Sequence, residues 1–319
     1  MKFKFYTTLR FLKVVGDNFD DFDLLPGVTL IRDRAKIRKV LTKTVKDFSG
    51  IIEYDHLCNA NHIIYADLND EFFPPSLPSG DALLGWILWI DMLVSTSWLI
   101  KDNGILCEIA YCNKSDRRNY SEWSNNSLMS MFTFSDGERH TEVEFTRDDL
   151  INWEKKNHKI QTYLYNNSST VFDSFLDSKY SRYGRALSFI KSAKREYNPA
   201  MKIAHYCSAL ESLFSTDSAE LSHKLSERVA IFLKPYGFDP IKTFDEMKVF
   251  YNIRSKVTHG DSLKSSKLEF IPEESKKLDN YLRFIMNEIL ESEELMAIFN
   301  GKKEEFEMYF KSKILLGNN

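Results

Sequence analysis

Apolar and polar positions alternate differently in the two halves of the chain. In the first half, Phe3 to Phe11, Val28 to Ile31, His62 to Leu68, Gly104 to Cys112, Leu128 to Phe134 and Thr141 to Phe145 are rich in β-branched and aromatic residues. Turn formers bound them, so the pattern predicts strands. Asp136-Gly137 predicts a hairpin turn between the last two. Two segments break the strand pattern. Ile37, Val40, Leu41, Val45 and Phe48 fall at helical spacing between Arg32 and Phe48. Ala82 to Ile100 is an apolar run containing Trp86, Trp89 and Trp98, led in by a Pro-rich loop from Pro74 to Gly80. The run reaches membrane-span length, but Asp91 at its middle would cost about 2.5 to 3.5 kcal/mol there. Ser95, Thr96 and Ser97 dilute it further, and no basic cluster flanks it. It therefore predicts a central buried helix, with Asp91 needing a partner inside.

Beyond Thr146 the period becomes helical. Thr146 and Asp149 open a helix toward Tyr163, Asn166 to Ser169 interrupts it, and a second helical stretch covers Ser181 to Tyr197. Asn198-Pro199 is a cap and first-turn signal for a helix ending near Phe214, and Ser218 caps another through Leu233. Thr243 followed by Glu246 has the form of a capping box, predicting a start near Phe244, and Gly260 supplies the stop. Between them Met247, Phe250, Ile253 and Val257 form a stripe, with Arg254 roughly 40 to 60° off it. Pro272 begins a long helix to about Phe299, and Lys302 to Leu315 forms a last one. The expected fold is α+β: a mixed α/β sheet domain over 1–146, then an all-helical domain over 147–319.

Composition narrows the classes. A 319-residue chain that is 43 % hydrophobic and 28 % charged is globular. A net charge of −3 leaves any polynucleotide to a local patch instead of bulk charge. One such concentration is Arg32, Arg34, Lys36, Arg38, Lys39, Lys43 and Lys46, which either holds phosphates or forms a solvated helix face. Cys58, Cys107, Cys112 and Cys207 form no C-x-x-C pair, as expected of a reducing cytoplasm, and the charged start M-K-F-K-F does not suit a secretion signal. His56, Cys58 and His62 are ligand types, but nothing nearby completes the four positions that zinc requires.

Charges also sit where packing favours apolar groups. Glu211 shares a face with Ala204, Cys207 and Phe214, and Arg228 shares one with Leu221, Leu225 and Phe232. Buried charge is expensive unless paired, so Glu211 is expected to join Arg228, Arg254 or both in one network. Such a network either fixes the register of the helices or serves a site. His259 falls at the last turn, where an unwinding backbone would bring its imidazole beside Arg254. A histidine there also suits a plain helix-end role. With Arg254 it suits RNA cleavage by the RNA's own 2′-hydroxyl, one group moving a proton and the other stabilising charge on phosphate oxygens. No metal or other cofactor is required. Ser255, one turn from His259 on the same face, is placed to orient the imidazole or touch phosphate.

R-S-K-V-T-H-G at Arg254 to Gly260 resembles the Arg, polar residue, three residues, His motif of HEPN domains, in the form of their Apea-like branch. A-L-E-S-L-F at Ala209 to Phe214 and S-E-R-V-A at Ser226 to Ala230 resemble the same branch in the same order. The likeness covers about Ser181 to Asn300. It is vaguer upstream, in L-P-G at Leu25 to Gly27 and W-L-I-K-D-N at Trp98 to Asn103. The resemblance implies a metal-independent RNA endonuclease that leaves a cyclic phosphate, acting as a cytoplasmic toxin or antiviral defence effector. It makes Arg254 and His259 the catalytic pair, Ser255 their companion, and Glu211 and Arg228 supports; the basic side chains of Lys256, Arg182 and Arg185 are expected as weaker RNA contacts. It further implies RNA as partner, a homodimer joined through the helical domain with both motifs in one groove, a phage-derived trigger or regulatory protein, and no membrane. The first half would be a recognition or sensing module. Some relatives lack activity, so the alternative is a helical module that binds RNA, nucleotide or a partner protein.

Overall fold

Strand β1 (Lys2–Arg10) is the pivot of the first half of the computed structural model, which describes residues 1–16, 21–127, 131–166, 181–216, 221–261 and 268–317. Its register sets Phe5 opposite Ala66 and Cys112, and Tyr6 opposite Tyr65 and Tyr111. Around it β3 (Asp21–Leu25), β4 (Val28–Ile31), β5 (Ile63–Asn69), β6 (Leu106–Ser115) and β7 (Ser121–Asn126) form an antiparallel sheet in the order β3-β4-β5-β1-β6-β7. Because successive side chains point to opposite faces, Phe3 and Phe5 go to one side and Tyr6 to the other, and both sides are buried. Helix α4 (Ser79–Ser97) covers the first face, with Trp86 stacked on Phe5 at 5.1 Å between ring centroids. Three short helices, α1 (Arg34–Val40), α2 (Lys43–Ser49) and α3 (Ile51–Asn59), belong with the second face, whose cluster includes Tyr6, Ile37, Val45, Leu57 and Tyr111. The fold is α+β, with the sheet N-terminal and helices C-terminal.

The apolar run is a covered helix. No helix among the described residues is long and apolar enough to cross a membrane. Its first turn is held by Ser79, whose backbone N and Oγ both donate to Glu122 Oε1 at 2.9 Å. Asp91 is half-buried, near Cys107, whose thiol is pushed up to about 11 chiefly by burial and secondarily by carboxylates including Asp91.

Several expected elements differ. The single helix over Arg32 to Phe48 is two, broken where Leu41 ends α1 and Thr42, in extended backbone, begins α2. Residues 128–130 lie outside the described part, and 131–134 are not a strand. Thr133 instead donates its backbone N–H to Lys194 O at 2.8 Å. Asp136-Gly137 does turn, with Gly137 N–H on Phe134 O, but it joins no hairpin. The strand beyond it, β8 (Val143–Phe145), pairs parallel with β2 (Leu12–Val14). Gly137 is required at φ +90, where a Cβ would lie 2.3 Å from Tyr197 O.

By compactness the chain divides into residues 1–132 with 140–158, and 133–139 with 159–319. Helix α5 (Arg147–Asn166) opens with the reciprocal Thr146–Asp149 capping bonds and belongs to the first unit as far as His158. Trp153 explains this, since its indole N–H donates to Leu93 O at 2.8 Å inside the first core.

In the second unit, α7 (Pro199–Phe214) packs against α6 (Arg182–Arg195), α9 (Pro240–His259) and α10 (Ile271–Glu291), and α8 (Leu221–Leu233) packs against α9. Asn198 caps α7, accepting from Ala200 N at 2.9 Å, with Pro199 in the first turn. The Ser218 cap lies outside the described residues, as do 167–169. Helix α9 starts one turn earlier than expected. Asp239 is its cap, accepting from Ile241 N and Lys242 N, while Thr243 is buried and Glu246 accepts from Tyr281 Oη at 2.5 Å. The helix expected from Pro272 to Phe299 is divided into α10 and α11 (Glu293–Asn300) by Ser292, whose side chain caps the second. Helix α12 (Lys303–Leu316) ends the described chain.

Candidate functional site

The last two turns of α9 carry the motif. Gly260 at φ 75 ends the helix, with Asp261 N–H on Lys256 O at 2.9 Å and Gly260 N–H on Val257 O at 3.4 Å. That is a left-handed glycine stop, and it leaves the backbone helical through His259. The unwinding expected at His259 therefore falls one residue too late to turn the imidazole toward Arg254. At 100° per residue the two side chains leave the helix axis about 140° apart.

Arg254 leans onto α7. Its Nη2 lies 3.3 Å from Glu211 Oε1, and the same oxygen accepts from Tyr251 Oη at 2.7 Å. The Tyr251 phenol is pushed far above its ordinary value, first by burial and then by the Glu211 charge. Burial, and after it Glu211, likewise raises the Cys207 thiol. The Arg254 side chain keeps 29 % of its surface exposed, yet its Nε is buried with no hydrogen-bond partner among the described residues. The carboxylate thus holds one corner of the guanidinium and leaves the other donors unspent.

His259 and Ser255 face solvent, about 40° apart on the helix. Neither side chain has a hydrogen bond or ion pair among the described residues. Lys256 is half-buried between them and the motif's other flank. Thr258 Oγ1 bonds back to Arg254 O at 2.7 Å, which steadies the turn joining Arg254 to His259.

No family model matches this chain, and no curated protein or solved structure matches it.

Arg228 does not join Glu211. Its Nη1 donates to Phe214 O at 2.7 Å and its Nη2 pairs with Glu307 Oε2 at 2.6 Å. The physical reason is the end of α7: last-turn carbonyls with no partner inside the helix attract a guanidinium, and α12 brings a carboxylate to it. Arg182 does similar work, donating to Ser215 O at 2.5 Å and lying 4.2 Å from the Phe306 ring centroid. Burial, followed by the charges of Arg185 and Arg228, lowers Arg182 to about 10. Arg182 and Arg228 therefore meet at α12, with the charge of Arg185 acting on Arg182, distinct from the Glu211–Arg254 pair. Glu307 and Tyr251 were not singled out in the sequence. Tyr251 stands three residues before Arg254 on the side facing α7, a spacing that would have found it; Glu307 has no local signal.

In the first unit the basic cluster is partly spent. Arg34 Nη1 caps α3 by donating to Cys58 O at 3.2 Å and Ala60 O at 2.6 Å, and Lys36 pairs with Asp21. His62 is 1 % exposed, and burial lowers its imidazole to about 4, with Arg32 adding to the effect. Among the described residues no group of three or more His, Cys, Asp or Glu is arranged to hold a metal ion.

Proposed function

We propose that this chain is a metal-independent RNA endonuclease of the HEPN kind, acting in the cytoplasm of a microbe as a toxin or an effector against phage. What supports this most is the condition of Arg254: tethered to Glu211 at one nitrogen, partly exposed, and keeping donors for a phosphate. His259 adds an imidazole exposed to solvent one helical turn beyond Ser255. In the reaction the 2′-hydroxyl attacks phosphorus, its proton passes to a base, the P–O5′ bond breaks and the 5′-oxygen leaves protonated. The products are a 2′,3′-cyclic phosphate and a 5′-hydroxyl. Arg254 stabilises the charge on the non-bridging oxygens, His259 moves a proton, and Ser255 orients it or touches phosphate. Because one copy splays Arg254 and His259 by about 140°, a homodimer that brings His259 of one copy toward Arg254 of the other completes the site. Incubation with defined RNAs in excess chelator, with mapping of product ends, tests the chemistry. Cyclic phosphate termini are expected, and dependence on added Mg²⁺ would overturn it.

The same splay favours a second function, a helical module that binds RNA, nucleotide or a protein without cutting. Intact RNA that nevertheless shifts in a binding assay, with the shift lost in R254A, would mark that outcome.

A further inference from the structure

We infer that Tyr251 is a positioning residue for the Arg254 guanidinium, acting through Glu211 as a two-step clamp between α9 and α7. The inference rests on the function proposed above for Arg254. A hydrogen bond and an ion pair converge on one carboxylate oxygen, and they differ in length. Tyr251 Oη to Glu211 Oε1 is 2.7 Å, whereas Arg254 Nη2 to the same atom is 3.3 Å. A charge-assisted bond at full strength spans about 2.7–2.9 Å, so the guanidinium contact is the looser of the two. The carboxylate is therefore placed by the phenol, and the guanidinium follows the carboxylate. Glu211 has no other side-chain bond among the described residues, so removing the phenolic O–H removes its shorter restraint.

Burial makes the order one-directional. Tyr251 is 7 % exposed and locked into the helical core, whereas the side chains of Glu211 and Arg254 keep 22 % and 29 % of their surface. Rigidity passes from the buried ring to the half-buried acid to the partly exposed base. The phenol also takes up part of the carboxylate's charge, leaving Arg254 more of its own for a phosphate. Nε, which faces protein and has no acceptor among the described residues, cannot hold the group in place by itself. On one helix Tyr251 and Arg254 lie about 60° apart, close enough to share a partner on α7.

Tyr251→Phe keeps the buried ring and deletes only the O–H. Glu211→Gln keeps an acceptor for Tyr251 and removes the charge that draws Arg254. On an RNA that the wild type cleaves, Y251F is expected to lower kcat on the order of ten- to a hundred-fold. KM should stay within about twofold, because orientation is lost and not uniform binding. E211Q should fall to the same degree, and the double variant no further than the larger single effect. A second readout needs no turnover: the Arg254 Nε–Hε cross-peak in a nitrogen-15 spectrum, assigned by its loss in R254K. It should be sharp and slow to exchange with water in the wild type, and broadened or lost in Y251F. An unchanged kcat and an unchanged cross-peak in Y251F, with only a lower melting temperature, would reduce Tyr251 to a stitch between helices and overturn the inference. If the wild type cuts no RNA, or if R254A and H259A cut as well as the wild type, the ribonuclease function fails instead. The cross-peak then still decides whether Tyr251 sets Arg254.

Discussion

His62 shows how a single residue is governed by its surroundings. Burial lowers its folded-state value from 6.5 to about 4, so protonation is opposed by the fold. Its stabilising contribution is complete above pH 6.5 and is withdrawn as pH falls from 6.5 toward 4, amounting to about 3 kcal/mol. Urea midpoints measured from pH 7.5 to 4 should fall in the wild type over that window, and less in His62→Phe, which has nothing to titrate. Parallel curves would contradict the assignment. Arg228 offers a second test. Arg228→Met keeps the apolar stem but takes the guanidinium from Phe214 O and leaves Glu307 with Thr216 Oγ1, at a cost of about 2 kcal/mol given that Glu307 is partly exposed. A change below about 0.5 kcal/mol in a denaturation series would show that the pair contributes nothing. At this scale the sequence was partly legible. Heptad-like spacing exposed Glu211 and Arg228 as charges on inward faces, but spacing alone could not assign partners. Arg228 finds Glu307, 79 residues on, and no local pattern encodes a contact at that distance.

Helix α9 is the element on which the site depends, and both its ends make quantitative demands. Asp239, not Thr243, accepts the first free N–H groups, so Asp239→Ala should cost about 1 kcal/mol in thermal or urea unfolding. Gly260 sits at φ 75 with open space around its Cα. Gly260→Ala should therefore cost about 1 kcal/mol through backbone strain alone and fray the turn bearing His259, seen as faster amide exchange at 256–261. Unchanged exchange there would contradict a glycine-dependent stop. The capping-box form of Thr243 and Glu246 misled because propensity sees four residues at a time. Pro240 and Asp239 make an equally local start signal one turn earlier, and Thr243 and Glu246 are used for packing and for Tyr281. Strands were legible where they are buried on a face, as in Phe3 to Phe11. The two edge strands, β3 and β7, were not. Ser121–Asn126 reads S-E-W-S-N-N, polar as an edge strand often is, and carries no alternation to find.

For the whole molecule, the α+β class followed from the change of period near Thr146, because strands and helices impose periods of 2 and 3.6 on any chain that buries one face. The boundary did not follow so closely. Thr133–Arg139 belongs with the helical unit although it lies within the sheet-forming half, held by Thr133 on Lys194 O and Ser275 Oγ on Ser135 O. Tertiary hydrogen bonds of that kind leave no period in the sequence. The candidate site was legible as a motif, but its geometry was not, since the phase between Arg254 and His259 depends on where the helix stops. That phase has a consequence for assembly. If the complete site takes Arg254 from one copy and His259 from another, mixing R254A with H259A should recover cleavage that neither shows alone. No recovery, with subunit exchange verified, would confine the site to one copy.

The central claim is that Arg254 and His259 cut RNA, and it is tested most directly by comparing wild type, R254A and H259A on one defined RNA in chelator, each confirmed folded. Both substitutions should slow cleavage on the order of a hundredfold or more, in keeping with the loss of a charge-stabilising group or a proton-transfer group. Cleavage by both variants at the wild-type rate would contradict the account.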